Sequence, residues 1–160
     1  MAQTFGCARE MFEAARAAAR EAERIARDLR ALDEDEPSGG GGFEGRVHGT
    51  PDPDRIGRRV ASSLDRRAML EARQAEDYRL IDAACAVLYG PDNRGGLYAL
   101  VGWPADAIYH HYLGLRTWEE TAELVIYSKR YVQEQVAWAF DMADANGDMW
   151  TRLGIGMAQA

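Results

Sequence analysis

The sequence predicts an all-α protein, a long antiparallel helical hairpin followed by a helix-turn-helix module. Three observations point there. Apolar residues recur at helical spacings through two long stretches, alternating three and four in the first, the signature of helices with one buried face. Glycine and proline clusters at 37–53 and 90–96 punctuate those stretches. No run alternates with period two over enough residues to make a strand.

The first segment, 1–36, reads as one long helix over residues 2–32. Phe5, Ala8, Phe12, Ala15, Ala19, Ala22, Ala26 and Leu29 form a heptad seam of the coiled-coil kind. Most seam positions are alanine, so a partner helix can approach closely while burying little apolar area. Such a helix is marginal alone. Its partner is either the second long helix or a second copy of the chain, which leaves a homodimer open. The opposite face carries Arg16, Arg20, Arg24 and Arg27 with Glu13, Glu21 and Glu23, the composition of a solvated surface. The acidic run Asp33 to Glu36 falls where the helix macrodipole disfavours anions, so the helix is expected to stop there.

Residues 37–53, with Pro37, Ser38 and Gly39 to Gly42, read as a flexible linker. A glycine loop that cradles phosphate needs a strand before it and a helix after it, and no strand pattern precedes this one. Pro51-Asp-Pro53-Asp54 is a helix-start signal. A second long helix is expected from Asp54 to Leu88 within the segment 54–89, using Ile56, Val60, Leu64, Ala68, Ala75, Tyr78, Ile81, Cys85 and Leu88 as its apolar face. It holds seven arginines against six acids, with Arg55, Arg58, Arg59, Arg66 and Arg67 near its beginning. This net-positive segment reads either as a solvated face or as a contact surface for a phosphate backbone.

Composition narrows the function classes. The 160 residues carry 19 basic against 26 acidic side chains, a formal charge of −7, which argues against a protein that coats nucleic acid by bulk charge. Cys7 and Cys85 sit in helical patterns without CxxC or Cys/His spacing and read as reduced, small buried residues. Charged residues in the first turns argue against a signal peptide, and no apolar run approaches the roughly 20 residues of a bilayer span. A cytoplasmic protein without membrane association is expected.

Chemical motifs fail on their own geometry. Aligning Gly147 with the turn glycine of a calcium loop puts Met142 and Leu153 where hard oxygen ligands are required. Gly154-Ile-Gly156 lacks both the third small residue and the following helix of a dinucleotide fingerprint. In Tyr109-His-His-Tyr112 the two imidazoles diverge by about 100° on a helix. Asp106 and His110 share a face, but no third metal ligand is placed beside them. Ser62, Ser63 and Ser128 lack the glycines of a nucleophile elbow. Neither an enzyme nor a cofactor is expected, and no metal.

The informative stretch, 104–144, lies within a helix-turn-helix module expected over 90–147. A short helix is expected from Pro104 to Leu113. Thr117-Trp-Glu-Glu120 has the form of a capping box opening a helix over 117–125. Ser128 is a second N-cap, opening a helix over 128–143 that Asn146-Gly147 stops. Two helices joined by so short a turn have helix-turn-helix connectivity. The second presents Ser128, Lys129, Arg130 and Gln133 in its opening turns, where a recognition helix meets base edges and phosphates. The tail, 148–160, carries Trp150, Leu153 and Ile155, apolar enough to dock on the body.

The run Tyr112-Leu-Gly-Leu-Arg-Thr-Trp-Glu-Glu-Thr-Ala-Glu-Leu-Val-Ile-Tyr-Ser-Lys-Arg-Tyr-Val132 resembles the region-4-type helix-turn-helix of bacterial sigma factors, and more closely its variant in small phage and prophage transcription regulators. Tyr112 and Leu113 match the end of the preceding helix, Trp118, Glu119 and Glu120 the first helix, and Ala122 the small residue where the two helices touch. Tyr127, Ser128 and Val132 match the start of the recognition helix. The resemblance covers about 35 residues, with a long helical region before them as in that family. It implies a sequence-specific DNA-binding transcription regulator without catalysis. Ser128, Lys129, Arg130 and Gln133 would reach DNA and Arg116 would add a phosphate contact, with RNA polymerase or another host protein as a further partner.

Two positions depart from the pattern. The family's turn glycine is Ile126 here, and a β-branched residue is strained at positive φ, so the turn is expected to change shape or the helices to run on. Residues 117–140 also carry only Lys129 and Arg130 against Glu119, Glu120, Glu123 and Glu134. That balance favours an alternative, an acidic helical protein-interaction module such as a phage antagonist of a host nucleic-acid-processing machine.

Overall fold

The computed structural model describes residues 4–34, 53–93 and 95–147. The glycine-rich linker and the apolar tail fall outside the described residues. Every regular element among them is helical: α1 (Ala8–Glu34), α2 (Pro53–Tyr89), α3 (Gly96–Val101), α4 (Pro104–Ile108), a π-helical turn (Tyr109–Leu113), α5 (Trp118–Val125) and α6 (Lys129–Ala145). The chain is all-α. Among the described residues no helix is long and apolar enough to cross a membrane.

Helix α1 begins at Ala8, not at residue 2, and long-range capping explains the difference. The Asp144 carboxylate of α6 accepts the Ala8 N–H at 2.7 Å, and Glu10 reaches back to the Gly6 N–H at 2.8 Å. Both satisfy backbone donors that a helix start leaves orphaned. At the other end α1 runs on to Glu34, with Asp33 engaged by Arg67 of α2. That ion pair offsets the unfavourable placement of an anion at a helix C-terminus. The buried stripe is Ala8, Met11, Phe12, Ala15, Ala18, Ala19, Ala22 and Ile25. Ala26 and Leu29, expected inside, are only half-buried, because the stripe is centred on the column Met11, Ala18, Ile25.

Helices α1 and α2 run in opposite directions. Asp33 meets Arg67, the Gln74 side-chain amide donates to the Ala22 carbonyl at 3.4 Å, and Arg73 pairs with Glu21 at 2.7 Å. Of the apolar face expected on α2, only the end at Ile81, Cys85 and Leu88 is covered, and the earlier part does not point at α1. Val60, Leu64 and Tyr78 are about half exposed and Ala68 and Ala75 lie at the surface. The face that is covered is Ser63, Arg67, Leu70, Gln74, Asp77, Ile81, Ala84 and Leu88, a heptad column shifted by one position. The small side chains of Ala18, Ala19 and Ala22 leave room on α1 for polar residues, and Gln74 reaches the Ala22 carbonyl there. Asp77 sits in that column with one carboxylate oxygen buried and unpartnered. Burial, and then the nearby Glu21, raise its pKa above the usual carboxylate value.

Apolar packing concentrates where both long helices meet the C-terminal elements. Phe12, Tyr112 and Phe140 form a triangle of rings with centroids 5.6–6.1 Å apart. Ala84, Val87, Leu88, Leu97, Ile108, Val132 and Val136 fill the same core. The turn between α2 and α3 closes on Gly96 (φ 66°), where an added Cβ would lie 2.6 Å from the Gly90 nitrogen, so the backbone segments approach as only glycine allows. The Tyr89 hydroxyl donates to Asp106 at 2.7 Å, tying the end of α2 to α4. Cys7 and Cys85 are free and half-buried rather than fully inside.

The π-helical turn buries His111 and Tyr112 together and leaves Tyr109 exposed. The His111 ring stacks on Trp118 of α5 at 3.7 Å. Its Nδ1 is buried without a hydrogen-bond partner, and burial, followed by Arg16, pulls its pKa down to about 4. It is a neutral packing residue at physiological pH.

Candidate nucleic-acid interface

Helix α5 opens as its sequence requires. Thr117 is extended, its hydroxyl accepts the Glu120 N–H at 3.2 Å, and the Glu120 carboxylate accepts the Thr117 N–H at 2.8 Å. Those bonds hold the Glu120 pKa below the usual carboxylate value. Thr121 and Ala122 turn inward, and the Thr121 hydroxyl donates to the Thr117 carbonyl at 2.8 Å.

The turn that follows departs from expectation. Ile126 adopts the left-handed conformation, φ 62° and ψ 42°, although it is β-branched. Its N–H donates to Glu123 and the Tyr127 N–H to Ala122, at 3.3 and 3.1 Å. Together these form the paired bonds of a Schellman motif, in which glycine is the usual residue. The turn therefore keeps the shape a glycine would give it. The Ile126 side chain is 87% exposed, so the strain is not offset by burial.

An aromatic group that sequence spacing did not bring together braces this turn. Trp103, between α3 and α4, stacks on Tyr127 at 4.5 Å and lies 6.0 Å from Tyr131, and the two tyrosines are 5.4 Å apart. The signal was aromatic composition alone, separated by more than 20 residues.

Helix α6 docks through Val132, Val136, Ala139, Phe140 and Ala143. Ser128 caps it, accepting the Tyr131 N–H at 3.4 Å. Ser128, Lys129, Arg130 and Gln133 are all exposed on its opening turns, so the structure gathers four of the five candidate residues on one helix end. Neither cation is free. Lys129 is hydrogen-bonded to Glu119 of α5, which lowers the pKa of Glu119, and Arg130 lies 2.9 Å from Glu134, one turn on. Arg130 is nonetheless 90% exposed. Arg116 sits apart, in the loop before α5. Its N–H donates to the His110 carbonyl, its own carbonyl accepts from Arg16 at 3.5 Å, and its charge acts on Glu120.

Comparison with known protein families, with curated proteins and with solved structures finds no match to this chain.

Proposed function

We propose that α5 and α6 act as a helix-turn-helix and that the protein is a sequence-specific DNA-binding regulator of transcription, of the phage or prophage type. One observation carries the reading: the Ser128-capped end of α6 is solvent-exposed, with Lys129, Arg130 and Gln133 on its surface and the helix anchored behind them by Val132, Val136 and Phe140. Those side chains suit the task. Arginine pairs bidentately with guanine and glutamine with adenine in the major groove, and lysine and the serine hydroxyl suit phosphate. The carboxylates now holding Lys129 and Arg130 do not bar this role. Exposed ion pairs are weak, and a phosphate oxygen can take the place of a carboxylate oxygen.

The test is selection of bound duplexes from a random-sequence pool, followed by titration at several salt concentrations. Binding to the selected duplex is expected, with Lys129→Ala and Arg130→Ala each lowering the salt slope by about 0.9 and Gln133→Ala relaxing sequence preference. Failure to enrich any sequence would refute the reading.

A second reading rests on a different observation. Glu119, Glu120, Glu123 and Glu134 outnumber the two cations around the turn, and Leu124 and Ile126 are exposed beside them. That surface suits a basic protein partner, as an acidic interaction module would use. Replacing the four glutamates by glutamine separates the two readings. DNA affinity rises under the first, and binding to a basic partner falls under the second.

A further inference from the structure

The opening stretch of α2 carries a ridge of arginines. Arg55, Arg58, Arg59, Ser62, Ser63 and Arg66 lie on one side of the helix and, with Leu32 of α1, line an open cleft of about 430 Å³. Each of these arginines is exposed. Arg58 donates to the Asp54 carbonyl and Arg67, at the margin, holds Asp33. Arg55, Arg59 and Arg66 have no hydrogen-bond or ion-pair partner among the described residues. Among the described residues the neighbouring acids are Asp54 and Asp65 on α2 and Asp33 and Glu34 at the end of α1, and Asp33 is occupied by Arg67.

This is the opposite of the arrangement on α6, where each cation has a carboxylate. Arg55 lies three and four positions from Arg58 and Arg59, where like charges repel on a helix, and among the described residues no carboxylate paired with Arg55 or Arg59 relieves the repulsion. A polyanion would. From Arg55 to Arg66 the helix rises about 16 Å, the length over which one strand of B-DNA presents about five phosphates. Guanidiniums pair bidentately with phosphate oxygens, and the Ser62 and Ser63 hydroxyls are typical phosphate donors. The cleft is open to solvent, which leaves a phosphodiester backbone room to approach it.

We infer that the Arg55–Arg59–Arg66 ridge of α2 is a sequence-independent contact for the DNA phosphate backbone, separate from α6 and supplying the electrostatic attraction that the neutralised turn of α6 lacks. The inference rests on the reading that the protein binds DNA, and its test keeps the two apart. The probes are fluorescein-labelled 30-base-pair duplexes, the selected sequence and a scrambled one, titrated between 50 and 200 mM salt. The triple variant Arg55→Gln, Arg59→Gln, Arg66→Gln should lower the salt slope on both duplexes by about 2.7. Over that range wild type would then lose about 40-fold more affinity than the variant. The charge-retaining Arg→Lys triple variant should keep the wild-type slope, which separates charge from packing, and both variants should keep the wild-type helical circular dichroism.

An unchanged slope in the glutamine variant, with wild type still binding, overturns this inference and leaves the α6 reading standing. Loss of slope at the ridge, with no sequence preference and no effect of the α6 variants, supports the ridge and overturns that reading. Wild type binding neither duplex at 50 mM salt overturns both. Ridge-dependent binding to phosphatidylserine vesicles, with none to either duplex, overturns the inference in favour of a membrane surface.

Discussion

Replacing Ile126 by glycine should stabilise the protein. An L-residue in the left-handed region costs roughly 1–2 kcal/mol, and a β-branched side chain lies at the upper end of that range. Its side chain is 87% exposed, so its removal forfeits little packing. Against the relief stands the greater freedom of glycine in the unfolded chain, worth about 0.5–1 kcal/mol. The balance is a gain of about 1 kcal/mol, which for a chain of this size raises the melting temperature by about 2–4 °C. Thermal unfolding followed by far-ultraviolet circular dichroism measures the shift, and urea titration supplies an independent free energy. Alanine, which removes the branch but keeps a Cβ, should recover only part of the gain. A lower melting temperature for Ile126→Gly would refute the reasoning, because it would mean that the isoleucine stabilises the fold through contacts greater than its strain. The same variant bears on function: a DNA-reading turn tolerates the change, whereas a surface that docks protein through Ile126 loses affinity.

His111 and the aromatic core give two further outcomes. The folded-state pKa of His111 is about 4, below the unfolded value near 6.5, so between those values the unfolded chain binds the proton preferentially. The stability present above pH 6.5 should therefore fall as the pH drops, by up to about 3 kcal/mol at pH 4. His111→Phe, which keeps a ring on Trp118, should flatten that part of the pH–stability curve measured by urea unfolding. Phe12→Ala, at the centre of the ring triangle with no exposed surface, should cost about 3–5 kcal/mol in the same assay.

Legibility in the sequence followed how local the determining physics was. The capping box at Thr117, the Ser128 cap and the stop at Asn146 involve residues within four positions of one another, and the structure places each where the pattern put it. The start of α1 did not follow, because the group that caps Ala8 is Asp144, 136 residues away. The covered face of α2 was misread for a related reason. Apolar spacing picked Val60 and Leu64, yet Arg67, Gln74 and Asp77 are the half-covered residues, with Arg67 held by Asp33 and Gln74 by the Ala22 carbonyl, and no pattern within α2 reports what α1 offers. The turn at Ile126 was legible in position but not in shape, since propensity argued against a conformation that the flanking helices impose. At the candidate site the four α6 residues were readable from helix position. Their carboxylate partners and the aromatic brace were not, because Glu119 and Trp103 come from other elements.

If α6 reads DNA as proposed, the pairing of its cations with carboxylates bears on discrimination as well as affinity. Attraction to random DNA is almost wholly electrostatic. A recognition turn whose charges are already balanced gains little from an arbitrary phosphate backbone, while a site offering correct base edges to Arg130 and Gln133 repays the exchange of carboxylate for nucleic acid. Under the proposed reading Glu119 and Glu134 would then act against wrong sequences more than against the right one. Glu119→Gln together with Glu134→Gln should therefore raise affinity for a scrambled duplex by a larger factor than for the selected duplex, narrowing the ratio between them, with the helical circular dichroism unchanged. An equal rise on both duplexes would mean that the carboxylates merely weaken binding, and no rise on either would mean that the turn does not meet DNA.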